Sequence, residues 1–159
     1  MRDETNEIKG KWEFDENVTK VFGDMLSRSI PNYEVMRQLV YCLGKDFIRQ
    51  GCTTVDLGCS NGLSIEQFVV NFPNHDFHLL DVSEPMLDAC RERLGWNQNV
   101  FVENRDLRSG IGVTNIDLAL SILTLQFTPI EYRQNILQNV NLRIFYFDEL
   151  EFSQIQRLD

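Results

Sequence analysis

The ten residues Thr53-Thr54-Val55-Asp56-Leu57-Gly58-Cys59-Ser60-Asn61-Gly62 leave this chain few folds to choose from. Val55 and Leu57 have the apolar, partly β-branched character of a buried central strand. Small residues at Gly58, Ser60 and Gly62 then permit a tight turn and let the backbone come close to a ligand. Leu63, Ile65, Phe68 and Val69 fall on one helical face. The spacing predicts a helix that starts in this turn and aims its unpaired N–H groups at whatever occupies it.

The rest of the chain supplies the elements around that unit. Residues 1 to about 13 are dense in charge and lack periodicity, as a mobile arm would. Helical spacing runs from Asn17 to Ser29 (Val18, Val21, Phe22, Met25, Leu26) and, beyond Pro31, from Tyr33 to about Arg49 (Met36, Leu39, Val40, Leu43, Phe47). Strands are expected at Phe77–Asp81, Val100–Glu103 and Ile116–Leu123. Ser83 should cap a helix that buries Met86, Leu87, Cys90 and Leu94. Thr128-Pro129-Ile130-Glu131 reads as a capping box opening a helix to about Val140. Strands alternating with helices give an α/β fold: a Rossmann-like, doubly wound, mostly parallel sheet with helices on both faces. Beyond Val140, Asn141–Phe147 reads as one strand and Glu149–Leu158 as one helix. Four or five strands leave an apolar sheet edge uncovered. The C-terminal part therefore reads as incomplete, with a segment missing between Val140 and Asn141; a truncated sheet is the alternative.

A formal charge of −9 gives no net attraction to phosphate backbones or anionic lipid, so direct nucleic-acid binding is not expected. Cys42, Cys52, Cys59 and Cys90 show no CxxC spacing and stand apart from His75 and His78, so free thiols and no metal site are expected. With no signal peptide and no bilayer-length apolar run, the chain reads as cytoplasmic.

Ligands of open parallel sheets bind at the carboxyl ends of the strands, where strand order reverses. The candidates there are Asp56, Gly58, Cys59, Ser60 and Gly62 at the first strand. Asp81 and Val82 end the second, Asp106 and Leu107 follow the third, and Ser121 and Ile122 end the fourth. Asp81 stands 19 residues after Gly62, where an acid meets the ribose hydroxyls of an adenosine. A turn-forming role is the alternative for Asp106, and core packing accounts for most of the fourth strand's end.

The turn spells G-x-S-x-G with an acid two residues before it. It resembles motif I of the class I S-adenosyl-L-methionine (SAM) methyltransferases rather than a dinucleotide fingerprint. The resemblance implies that Asp106 accepts from the adenine amino group. Further motifs are more specific. Phe14-Asp15-Glu16, Val21-Phe22-Gly23-Asp24-Met25, Arg28-Ser29-Ile30-Pro31-Asn32-Tyr33, Thr124-Leu125-Gln126-Phe127 and Glu149-Leu150-Glu151-Phe152-Ser153-Gln154 are similar to the carboxy-S-adenosyl-L-methionine synthase family. That family makes carboxy-SAM from SAM and prephenate for tRNA wobble-uridine modification. The resemblance implies SAM, S-adenosyl-L-homocysteine or carboxy-SAM as the ligand, and Tyr33 closing over it. It also implies that residues 14–50 form a helical lid on a core of 51–140, within one SAM-binding domain of 14–159. Two positions depart from the pattern. Ile122 stands where the family has asparagine. Gln156 stands where it has the arginine that holds the ligand's extra carboxylate, with Arg157 one place on.

Three functions follow. The first is a SAM-dependent methyltransferase with a small-molecule acceptor, its general base unidentified, forming a homodimer in one arrangement. The second is carboxy-SAM synthesis. The third is a non-catalytic SAM-binding regulatory or assembly protein.

Overall fold

The computed structural model describes residues 16–140 and, for the backbone alone, 144–147. Helices α1 (Glu16–Ser29) and α2 (Tyr33–Gly44) precede strand β1 (Thr53–Leu57). Next come α3 (Glu66–Asn71), β2 (Asp76–Asp81), α4 (Glu84–Leu94), β3 (Val100–Asn104), β4 (Ile116–Ile122), α5 (Ile130–Val140) and β5 (Ile144–Phe147). The described strands form one parallel sheet in the order β3-β2-β1-β4-β5. Order therefore reverses between β1 and β4, and the carboxyl ends of β1, β2 and β3 open on the same side.

Alternation along each strand divides the core. Phe77, Leu79, Leu118, Leu120 and Ile122 face α2, α3 and α4, against Val40, Phe68, Leu87 and Leu94. Val55, Leu57, Leu80 and Ala119 face α5, against Ile136 and Val140. Every residue of β4 is buried, as a central parallel strand covered on both faces requires. Ser83 caps α4 as expected, its hydroxyl accepting from the Met86 N–H at 3.5 Å.

The helical segment before β1 is shorter and less buried than its periodicity implies. Helix α2 stops at Gly44 and continues only as a 3₁₀ turn over Lys45–Phe47. Gly44 backs onto Phe68, so closely that a Cβ there would lie 2.9 Å from the ring. Leu39, Leu43 and Val21, expected inside, are exposed, while Tyr33, Met36 and Val40 make the contact with the sheet. The two helices, of 14 and 12 residues, offer more apolar positions than one sheet face can cover.

At the amino end of the sheet the β1–β4 register slips between Thr53 and Thr54, setting Asp117 as the extra residue. Its carboxylate accepts from the Arg49 N–H at 2.6 Å and from the Thr54 hydroxyl at 3.5 Å, and that hydroxyl lies 2.9 Å from His75 Nε2. Burial draws the His75 pKa down, against the pull of Asp117. This polar cluster fastens the entry into β1 and lies at the opposite end of the strands from the candidate site. The charged arm before Phe14, the helix expected over Glu149–Leu158 and the Asn141 side of the expected break lie outside the described residues.

Candidate functional site

The turn after β1 is fastened to the end of β2. The Leu80 carbonyl accepts from both Gly58 N–H (2.7 Å) and Cys59 N–H (3.0 Å). Gly58, Ser60 and Gly62 all have positive φ (80°, 52° and 78°), so the chain alternates through left-handed conformations that a glycine adopts without strain. The space that a side chain on Gly58 or Gly62 would need is filled by protein. A Cβ on Gly58 would fall 2.3 Å from the Thr124 side chain, and one on Gly62 would fall 2.9 Å from Cys90 Sγ. The helix also begins later than expected. Residues 61–65 continue as turns, and α3 opens only at Glu66, so no α-helix terminus reaches the turn.

Gly58→Ala should therefore lower stability by about 2–5 kcal/mol, combining left-handed strain of about 1–2 kcal/mol with overlap against a β-branched neighbour. Gly51 has nearly the same φ, 79°, but nothing within 4 Å of a Cβ. Gly51→Ala should cost the strain alone. Thermal melts of the two variants check this, with the Gly58 variant lower by several degrees more.

Two carboxylates meet beside the turn, in contrasting states. Asp81 is held at both oxygens: Oδ2 accepts from Ser60 N–H and Oδ1 from Ser83 N–H, both at 2.9 Å. It thereby ties the β1 turn to the cap of α4. Asp56 is only 1% exposed, and its Oδ2 has no hydrogen-bond partner among the described residues. Burial, and then the charge of Asp81, push its carboxyl up to about 7. Tyr33 is buried near Asp56; burial raises its phenol, and the Asp56 charge adds to that. The Cys59 thiol donates to the Ser60 carbonyl at 3.6 Å, and the neighbouring Cys90 thiol together with burial pushes it well up.

The remaining candidates divide. Val82 is 63% exposed, an open apolar surface next to Asp81. Arg105 N–H donates to the Asp81 carbonyl at 2.8 Å, which brings the β3 loop alongside. There Asp106 does what a turn-former does. It accepts from Arg108 N–H at 2.9 Å and pairs with the Arg108 guanidinium, which holds its carboxyl below the usual range. Leu107 is buried under that turn. Ser121 and Ile122 are consecutive on β4 and so point to opposite faces. Ile122 packs on the α2–α4 side, and Ser121, fully buried, has a hydroxyl without a partner among the described residues. They do not act as one pair.

Sequence reasoning missed the clamp on the 61–66 loop. Arg37 of α2 donates to the Leu63 carbonyl through Nε (3.1 Å) and Nη2 (2.5 Å). Arg93 of α4 donates to the Asn61 carbonyl at 3.0 Å, and Glu66 lies within ion-pair reach of both guanidiniums. The only sequence signal was spacing: Arg37 is one turn past Tyr33, and Arg93 is next to the inward Leu94.

A methyltransferase-domain family model matches residues 54–143, from β1 to just past α5. The chain belongs to the methyltransferase-domain family. It is 36% identical over 125 residues, 76% of its length, to a carboxy-S-adenosyl-L-methionine synthase of Haemophilus ducreyi, of which it covers 51%. The chain spans about half the length of the curated relatives it matches. Among solved structures it resembles a SAM-bound amino pentose methyltransferase from Micromonospora echinaspora (TM-score 0.60, 18% identity, covering 87% of this chain and 60% of that one). It also resembles phosphoethanolamine N-methyltransferase 2 of Haemonchus contortus in complex with SAM (TM-score 0.62, 16% identity, 80% and 30%). These two likenesses bear on the fold, a class I methyltransferase-type α/β sheet. Among the described residues no helix is long and apolar enough to cross a membrane.

Proposed function

We propose that this methyltransferase-domain chain binds S-adenosyl-L-methionine at the carboxyl ends of β1, β2 and β3 and transfers its methyl group to a small-molecule acceptor. The observation that carries the reading is the acid pair: a buried Asp56 with an unpartnered oxygen, beside an Asp81 held in place by two backbone N–H groups. A buried carboxylate facing no cation is costly in a folded protein and suits a ligand that brings positive charge. Asp81, with lone pairs to spare, is placed to accept from ribose hydroxyls, and Val82 offers an apolar face to a purine. Gly58, Cys59, Ser60 and Gly62 shape the wall of the site, Tyr33 and Ile122 close it from the α2 side, and Asp106 and Leu107 bound its far end. The ligand supplies a methyl group already activated on a sulfonium, so the protein's task is chiefly alignment. The division into a 14–50 lid and a 51–140 core belongs to the same proposal.

Carboxy-SAM synthesis is the second reading, favoured by relatives of that name at 32–36% identity. Incubation with SAM and prephenate, followed by mass spectrometry of the nucleosides, separates the two. Methyl transfer predicts calorimetrically measurable SAM binding and no carboxylated nucleoside. A SAM derivative heavier by a carboxylate would assign the synthase instead, and absence of SAM binding would refute both. Tight binding without turnover across candidate acceptors would favour the non-catalytic role.

A further inference from the structure

Asp56 lacks what a buried acid ordinarily has. Among the described residues it takes part in no ion pair, and its Oδ2 accepts no hydrogen bond. Its strand neighbours in register are Leu79 on β2 and Leu120 on β4, both apolar and fully buried. The titratable groups that bear on it are Asp81 from the end of β2, Tyr33 from α2 and Cys59 from the turn. None of these brings a positive charge, and Asp81 brings a negative one. The nearest cation on α2, Arg37, is committed to the Leu63 carbonyl and to Glu34.

Electrostatics then requires two states of one side chain. With only protein around it, Asp56 keeps its proton up to about neutral pH, because ionisation sets a second negative charge beside Asp81 in a desolvated place. Once a cation is lodged at the turn, the ionised form is favoured.

We infer that the site exchanges a proton for its ligand: binding of a cationic adenosyl compound breaks the Asp56 O–H bond, leaves the electron pair on the carboxylate and sends the proton to solvent. This rests on the SAM-binding reading and adds a pH dependence to it. The site loads more readily as pH rises through neutrality, and an adenosyl ligand without positive charge gains nothing from Asp56. Burial and Asp81 set the midpoint, at about 7. Tyr33 and Cys59, both shifted upward, stay protonated throughout this range. The two histidines lie elsewhere, His75 with Thr54 at the amino end of β1 and His78 against Glu103.

The test is titration calorimetry of SAM into the full chain, in pairs of buffers with different ionisation enthalpies. At pH 6.0 roughly one proton should be released per ligand bound, falling to about a quarter of a proton at pH 7.5. Over the same interval SAM affinity should rise roughly eightfold. Asp56→Asn, which has no proton to lose, should bind more weakly and with a buffer-independent enthalpy. SAM binding with a buffer-independent enthalpy in the unaltered chain at pH 6.0 overturns the inference while leaving the site in place. Proton release that persists undiminished in Asp56→Asn also overturns it. No SAM binding at either pH overturns both the inference and the functional reading beneath it.

Discussion

Asp81→Ala is expected to weaken SAM binding at least tenfold and to loosen the turn that forms the site. A carboxylate accepting ribose hydroxyls makes charge-assisted contacts, and their loss costs on the order of 1.5–3 kcal/mol, or roughly 10- to 150-fold in affinity. The structure adds a second loss. Ser60 and Ser83 N–H groups, each 2.9 Å from an Asp81 oxygen, are left without an acceptor. Ser60 has a positive φ, so this bond is what offsets the strain of its left-handed backbone. Asp81→Asn is a partial remedy: an amide presents one acceptor oxygen where the carboxylate presented two, so one of the two N–H groups faces an NH₂. The expected order of melting temperature is Asp, then Asn, then Ala. Calorimetry and thermal melts on the three proteins check this. Unchanged affinity in the alanine variant removes Asp81 from the site.

Asp56→Asn should act in opposite directions on stability and on binding. The folded chain holds the Asp56 proton up to about pH 7, whereas the unfolded chain releases it near the ordinary 3.8. Between those values the folded state binds more protons, so stability falls as pH rises, by up to ~1.4 kcal/mol per pH unit. Above pH 7 the accumulated loss is of the order of a few kcal/mol. Asparagine does not ionise and escapes that loss, though its buried amide brings donors of its own that need partners. The ligand-free variant is therefore expected to gain about 1–3 kcal/mol over the original chain at pH 8, and little at pH 4.5. At pH 8 its SAM affinity should be at least tenfold lower. Denaturant midpoints at the two pH values, with and without SAM, measure all of this. A stability difference that is the same at pH 4.5 and pH 8 would show that Asp56 does not titrate in between. The stability that such a site gives up is a common accompaniment of function.

Legibility followed the range of the interactions involved. The Ser83 cap, the acid closing β2 and the unbroken apolar run of β4 were readable because each depends on a few adjacent residues. The sequence-based boundaries of β2, β3 and β4 differ from the observed ones by a single residue at one end. The helix expected in the first turn failed on a long-range cause. Residues 61–65 are held in an irregular path by Arg37 and Arg93, which arrive from α2 and α4. Periodicity correctly grouped Ile65, Phe68 and Val69 as buried, yet it says nothing about where the hydrogen-bonded ladder begins. Asp106 shows the reverse case, a residue whose local turn role was visible and is the one observed.

By itself the sequence determined the strand–turn motif, the alternation of strands and helices, and hence a parallel α/β sheet with its acids at the strand ends. Those features follow from backbone preference and periodic burial over a few residues. Tertiary structure alone decided that Thr124, 66 residues downstream, fills the space behind Gly58, and that Asp81 is held at both oxygens while, among the described residues, Asp56 Oδ2 has no partner. Which groups surround a side chain after the sheet is assembled is set by β2, β4 and α2 coming together, and no local pattern in β1 records it.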